Sequence, residues 1–232
     1  MLAIVGSPLF APGSTPSAPG EAVGLAAGIA TAAAAAGAEV QVIGKVGDDP
    51  AGDAVLLALA RGGVGHVALL RDAGRATPLA AYAVRDADPA DAAPVAAMLV
   101  ESESAGADVE DETAAPPGSG LALEPADIAL GLRYVRDFRV LVGTDPLDEP
   151  SAAVMAEAAA FAGAALVIVA PPGQGMVSGL GSAIVLEAPI GDPVGSFAAL
   201  VGRFAAALDR GVEASQAFRD ATAEGGWERS AS

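Results

Sequence analysis

Short, continuously apolar runs alternate along this chain with longer stretches of helix-forming residues. Residues 2–5 are apolar throughout and stop at Gly6-Ser7-Pro8, which predicts a buried strand running into a loop. Prolines at 8, 12, 16 and 19 extend that loop expectation. Residues 23–36, VGLAAGIATAAAAA, are dominated by the strongest helix former and end before Gly37, so they read as a helix apolar enough to be buried. A strand over 40–43, a glycine-rich turn, a helix over 51–61 closed by Gly62-Gly63 and a strand over 66–70 follow in order. After a break, the rhythm resumes with a helix opened by Leu123-Glu-Pro-Ala-Asp. Next come a strand at 139–143, a helix from Glu149, a strand over 164–170 and a strand over 182–187. Helices over about 196–209 and 213–224 finish the series. Fully apolar strands between helices predict an α/β fold with a mainly parallel sheet covered on both faces.

The break lies at 85–123, where residues 101–112, ESESAGADVEDE, carry six carboxylates. Such a run repels itself and cannot build a core, so a solvated acidic loop over 101–120 is expected, with a short strand at 95–100 in front of it. The chain of 232 residues is long enough for one sizeable core, and a single domain over 1–232 is the default. No apolar run reads as a membrane span, and the N-terminus lacks the basic segment of a signal peptide, so a cytoplasmic protein is expected.

Charge and rare residues narrow the chemistry. With no cysteine, disulfides, thiolate catalysis and cysteine-held metal are excluded. The single histidine, His66, cannot build a multi-histidine metal site, and its place at a strand start suggests a structural or surface role. No metal ligands are assigned. A net charge of −17, with one lysine (Lys45) against eleven arginines, argues against nucleic acid and anionic membranes as partners.

Two segments carry a family resemblance. Residues 37–64, GAEVQVIGKVGDDPAGDAVLLALARGGV, with the small-residue helix before them, are similar to the N-terminal signature of the PfkB-type, or ribokinase-like, carbohydrate kinases. In its turn, made of Gly44, Gly47, Asp48, Asp49 and Gly52, Gly44 and Gly47 are expected to allow backbone conformations closed to other residues, and Asp48 or Asp49 to cap the following helix. Residues 188–211 resemble the C-terminal signature, in which a glycine-rich loop opens a helix. The resemblance implies a three-layer α/β/α sandwich, shortened relative to the family, and ATP and Mg2+ as cofactors of a phosphoryl transfer. It implies an anion hole at Val194, Gly195 and Ser196, formed by N–H groups at a helix start.

The departures are as informative. The position of the family's catalytic aspartate falls on Ala198 without a gap, or on Ser196 with a two-residue slip, and Asp192 is the one nearby carboxylate. Gly6-Ser7-Pro8-Leu9-Phe10-Ala11 and VGLAAG at 23–28 stand where the family grips its sugar with polar groups. Between Pro172 and Ala183 there is room only for a loop, where the family has further elements and a motif organising magnesium. The leading expectation is therefore a scaffold that binds a small ligand or regulates a partner, with a homodimer as one assembly. The alternative is an active sugar or nucleoside kinase using Asp192 as a displaced base. An unrelated α/β binding protein would show itself by a different strand order.

Overall fold

A computed structural model describes residues 1–13, 18–80, 121–173, 178–190, 192 and 195–225. The expected acidic loop over 101–120 and the strand over 95–100 lie outside these residues.

The chain forms β1 (Leu2–Val5), β2 (Leu9–Ala11), β3 (Glu21–Val23), α1 (Leu25–Ala35), β4 (Val40–Gly47), α2 (Pro50–Arg61) and β5 (Gly65–Asp72). It continues with α3 (Pro125–Tyr134), β6 (Val140–Gly143), α4 (Glu149–Ala162), β7 (Ala165–Ala170), β8 (Ile184–Glu187), α5 (Ser196–Asp209) and α6 (Ala214–Gly225). Six strands make one all-parallel sheet in the order β5-β4-β1-β6-β7-β8. Alternation along the strands explains the layers, because successive side chains point to opposite faces. Leu2, Ile4, Val40, Val42, Val140 and Val142 pack in one cluster with α1, α2, α5 and α6. Ala3, Val5, Ile43, Leu141 and Ile168 pack on the other face with Ile128 of α3 and Met155 of α4. The three-layer sandwich is therefore present.

On the first face α1 and α5 lie so close that a β-carbon on Gly28 would come within 2.9 Å of the Ala198 β-carbon. One on Gly202 would meet Ala32 and the Ile29 carbonyl at 2.7 Å. Alanine and glycine facing each other allow this approach, and Phe204, fully buried, anchors the layer edge-on to Phe218 of α6 at 5.9 Å. Burying such a side chain stabilises the fold by about 1.5–3 kcal/mol.

One expectation fails. Residues 8–23 are not simply a loop leading into a helix: β2 and β3 pair antiparallel as a separate ribbon, Leu9 opposite Val23, and α1 starts at Leu25. Residues 78–80 join the ribbon's other edge, with Phe10 N–H donating to Pro78 O at 2.9 Å and Ala80 N–H to Phe10 O at 2.8 Å. Three-residue strands satisfied by distant partners leave no periodic signal in a proline-rich segment.

Candidate functional site

The glycine-rich turn after β4 is the first element of the site. Asp49, not Asp48, caps α2: its Oδ1 accepts from Gly52 N–H at 2.7 Å. The same carboxylate accepts from the Thr77 hydroxyl at 2.6 Å and from Thr77 N–H at 2.8 Å, while Gly47 N–H donates to Thr77 Oγ1 at 2.9 Å. Donation from the Thr77 hydroxyl, partly opposed by desolvation, holds the Asp49 carboxyl below the ordinary aspartate range. Asp48 instead pairs with Arg71, which also reaches Asp53. The expectation for the glycines is corrected in kind. None of Gly44, Gly47 and Gly52 has a positive φ. They permit close approach: a β-carbon on Gly44 would lie 2.6 Å from Gly6 O, one on Gly47 2.5 Å from Arg75 O, and one on Gly52 2.3 Å from Gly47 O. The turn thus clamps the segment that leads through Thr77 into the ribbon.

The second element is the point where the sheet reverses direction. The chain runs outward from β1 to β4 and β5, then returns to β6 on the other side of β1. Ligands of open α/β sheets bind in the crevice at such a switch point, outside the carboxyl ends of the strands. Here those ends carry Ser7 and Asp145: Asp145 Oδ2 accepts from Ser7 N–H at 2.9 Å, and the Thr144 hydroxyl lies 3.2 Å from Val5 O and 3.4 Å from Asp145 Oδ1. The Ser7 hydroxyl accepts from Lys45 N–H at 3.2 Å, and Lys45 pairs with Asp127 of α3. Gly6 makes room for the cluster, since a β-carbon there would sit 1.9 Å from Thr144 Oγ1. Burial pushes the Asp145 carboxyl above the ordinary aspartate range, against the Ser7 N–H and the Thr144 hydroxyl, which favour its charged form. Sequence reasoning missed Asp145. Its partner Ser7 is 138 positions away, and nothing local marks it.

The third element is the N-terminus of α5. Gly195 is the N-cap with φ 68°, a left-handed conformation suited to glycine, and Ser196 is the first helical residue. Asp192 folds over this end: Oδ1 accepts from Phe197 N–H and the Ser196 hydroxyl, both at 3.1 Å, and Oδ2 accepts from Ala198 N–H at 2.9 Å. Val194 lies outside the described residues. Ala198 is buried with no group that could take a proton. A cavity of about 620 Å³ opens here, lined among others by Gly24, Leu25, Gly28, Asp192, Gly195 and Ala198. The 23–28 segment therefore meets the α5 loop in space, and it does so with apolar walls.

Known proteins resemble this chain over part of its sequence and in fold. The family described as pfkB family carbohydrate kinase matches residues 21–108. Among solved structures, a PfkB protein from Polaromonas sp. JS666 has a TM-score of 0.57 at 16% identity, covering 97% of this chain and 94% of that one. Ribokinase from Arabidopsis thaliana, solved with ribose and ATP, has 0.57 at 12% identity, covering 97% and 90%. A putative ribokinase II from E. coli, solved with ATP and Mg2+, has 0.56 at 13%, covering 97% and 91%. No curated protein matches the chain. The chain resembles the pfkB family carbohydrate kinases in sequence over residues 21–108, and its fold, mainly parallel and short at 232 residues, is ribokinase-like.

Proposed function

We propose that this is a ribokinase-like protein impaired in phosphoryl transfer, which uses the retained scaffold to bind a small ligand between α1 and the start of α5. The observation that carries the reading is the Asp192 carboxylate on the N–H groups of Phe197 and Ala198. Free N–H groups at a helix start favour an anion. In this chain an internal anion already occupies them. A phosphate brought to Gly195 and Ser196 must displace Asp192 or lie beside it, and two unit charges 4 Å apart near a protein surface repel by about 4 kcal/mol. The residues as placed therefore fit the γ-phosphate of ATP poorly. At the aligned position Ala198 supplies no base, a function that contributes about 10²–10⁴-fold in enzymes that have it. The apolar lining from Leu25 and Gly28 favours a ligand less hydroxylated than a sugar, because each buried hydroxyl left unpaired costs about 1–3 kcal/mol.

One observation favours a second reading, an active small-molecule kinase with a rearranged site. Asp145 is a carboxyl at the crevice whose raised pKa brings it toward the range of a general base. In that reading Val194, Gly195 and Ser196 hold the phosphate, ATP and Mg2+ are the cofactors, and Asp145 or Asp192 takes the ligand's proton.

Calorimetric titration with ATP and Mg2+ separates the two. The first reading expects no saturable binding by the wild type at dissociation constants below about a millimolar. It also expects binding to tighten at least about tenfold in Asp192→Asn, which removes the competing charge. Wild-type binding in the sub-millimolar range that Asp192→Asn weakens supports the second reading.

A further inference from the structure

The cavity between α1 and the start of α5 carries a charge of one sign. Among the described residues that border its volume of about 620 Å³, Asp192 is the only ionisable one and Thr31 the only one with a hydroxyl. Val23, Leu25, Ala32 and Ala198 give it apolar walls. The size lies within the range of small-molecule sites, which pair a mostly apolar lining with a few placed polar groups. Asp192 is half-buried, so its charge is only partly screened by solvent.

The chemistry of the ligand follows from that lining. An ionised carboxylate accepts at about four lone-pair sites. Within the chain Oδ1 of Asp192 takes two donors, Phe197 N–H and the Ser196 hydroxyl, and Oδ2 takes one, Ala198 N–H. One acceptor site on Oδ2 is left, enough for a single N–H but not for the fork of a guanidinium, which uses both oxygens. A ligand anion would be repelled by this carboxylate, and a sugar would find only Thr31 and Asp192 to pair its several hydroxyls. A metal ion suits the place less, because among the described residues no three His, Cys, Asp or Glu converge. A compact hydrocarbon body with one ammonium group meets both the walls and the charge.

Resting on the reading that a small ligand binds between α1 and the start of α5, we propose that this ligand is an aliphatic amine. Its ammonium donates to the Asp192 carboxylate, and its hydrocarbon part lies against Val23, Leu25 and Ala198. Asp192 then sets the charge preference of the cavity, because the carboxylate that opposes a phosphate attracts a cation.

The test titrates three probes of like size into the full chain by calorimetry: cyclohexylammonium, cyclohexanol and cyclohexanecarboxylate. At about pH 7 an alkylammonium is protonated and a carboxylate ionised, and about 0.15 M salt screens diffuse attraction to an acidic protein. Saturable binding of cyclohexylammonium is expected, at least about tenfold tighter than cyclohexanol, with cyclohexanecarboxylate weakest. Asp192→Asn, which keeps an oxygen for the helix N–H groups, should bring cyclohexylammonium down to the affinity of cyclohexanol and leave cyclohexanol unchanged. Retained cyclohexanol binding is a result that a misfolded variant cannot imitate. Asp220→Asn removes a carboxylate outside this cavity and should change neither affinity. Equal wild-type affinities for cyclohexylammonium and cyclohexanol overturn the amine while leaving the cavity as a ligand site. A cation preference that survives Asp192→Asn, or falls equally in Asp220→Asn, overturns it as well. No saturable binding of any probe overturns it too, and the titration with ATP and Mg2+ judges the impaired-kinase reading separately.

Discussion

Asp145 and Asp49 both accept backbone N–H bonds, yet their carboxyls are driven in opposite directions. For Asp145 desolvation is the largest influence and raises its pKa, whereas for Asp49 the Thr77 hydroxyl leads and lowers it. The sign of the stability effect follows. Between the unfolded value near 3.9 and the raised folded value, native protein binds more protons at Asp145 than unfolded protein does. The contribution of Asp145 is thus fully present below about pH 3.9 and is lost as pH rises through its folded value. Asp145→Asn keeps an oxygen for Ser7 N–H but does not titrate. Denaturant midpoints measured from about pH 4 to 8 should show the variant gaining on the wild type as pH rises. A difference independent of pH would contradict burial of a titrating carboxyl at this place. At this scale the sequence was legible where partners are near: Asp49 lies three residues from Gly52. It was opaque where they are far, as for Asp145 with Ser7 and Asp49 with Thr77, because pairing across a sheet leaves no mark in local order.

Elements built from small residues work here by proximity. The Gly28–Ala198 and Ala32–Gly202 contacts set the distance between α1 and α5, and so the width of the cavity between Gly24 and Gly195. Gly202→Ala places a methyl 2.7 Å from Ala32 and the Ile29 carbonyl, so the helices must separate. Overpacking of this kind costs about 1–3 kcal/mol, readable as a lowered urea midpoint with the helical signal in circular dichroism retained. An unchanged midpoint would show that the interface yields freely. The alternation of apolar strands and alanine-rich helices made β4, α2, β7 and α5 legible from the chain, since each carries its period or its glycine stop locally. The β2–β3 ribbon was not, because its three-residue strands owe their shape to Val23, Pro78 and Ala80. The roles of Gly44 and Gly47 escaped for a related reason. A glycine required by a neighbour's closeness looks the same in sequence as one required by a turn.

The whole molecule carries a net charge of −17, and like charges repel more when the chain is compact. Raising ionic strength from about 0.01 to 1 M shortens the screening length from about 30 to 3 Å, so the melting temperature should rise with salt. A fall would mean that attractive pairs such as Arg71 with Asp48 outweigh the repulsion. The sheet order places the carboxyl ends of β1 and β6 together, and the start of α5 meets the segment leading into α1 across one cavity. That arrangement supports the proposed binding of a small ligand in a ribokinase-like fold. The Asp192 cap and Ala198 support the proposed impairment of transfer. The most direct measurement is transfer of labelled γ-phosphate from ATP by the purified full chain to a panel of sugars and nucleosides. The account predicts no product above the rate without protein. Product that forms with the wild type and is lost in Asp145→Asn or Asp192→Ala would contradict it.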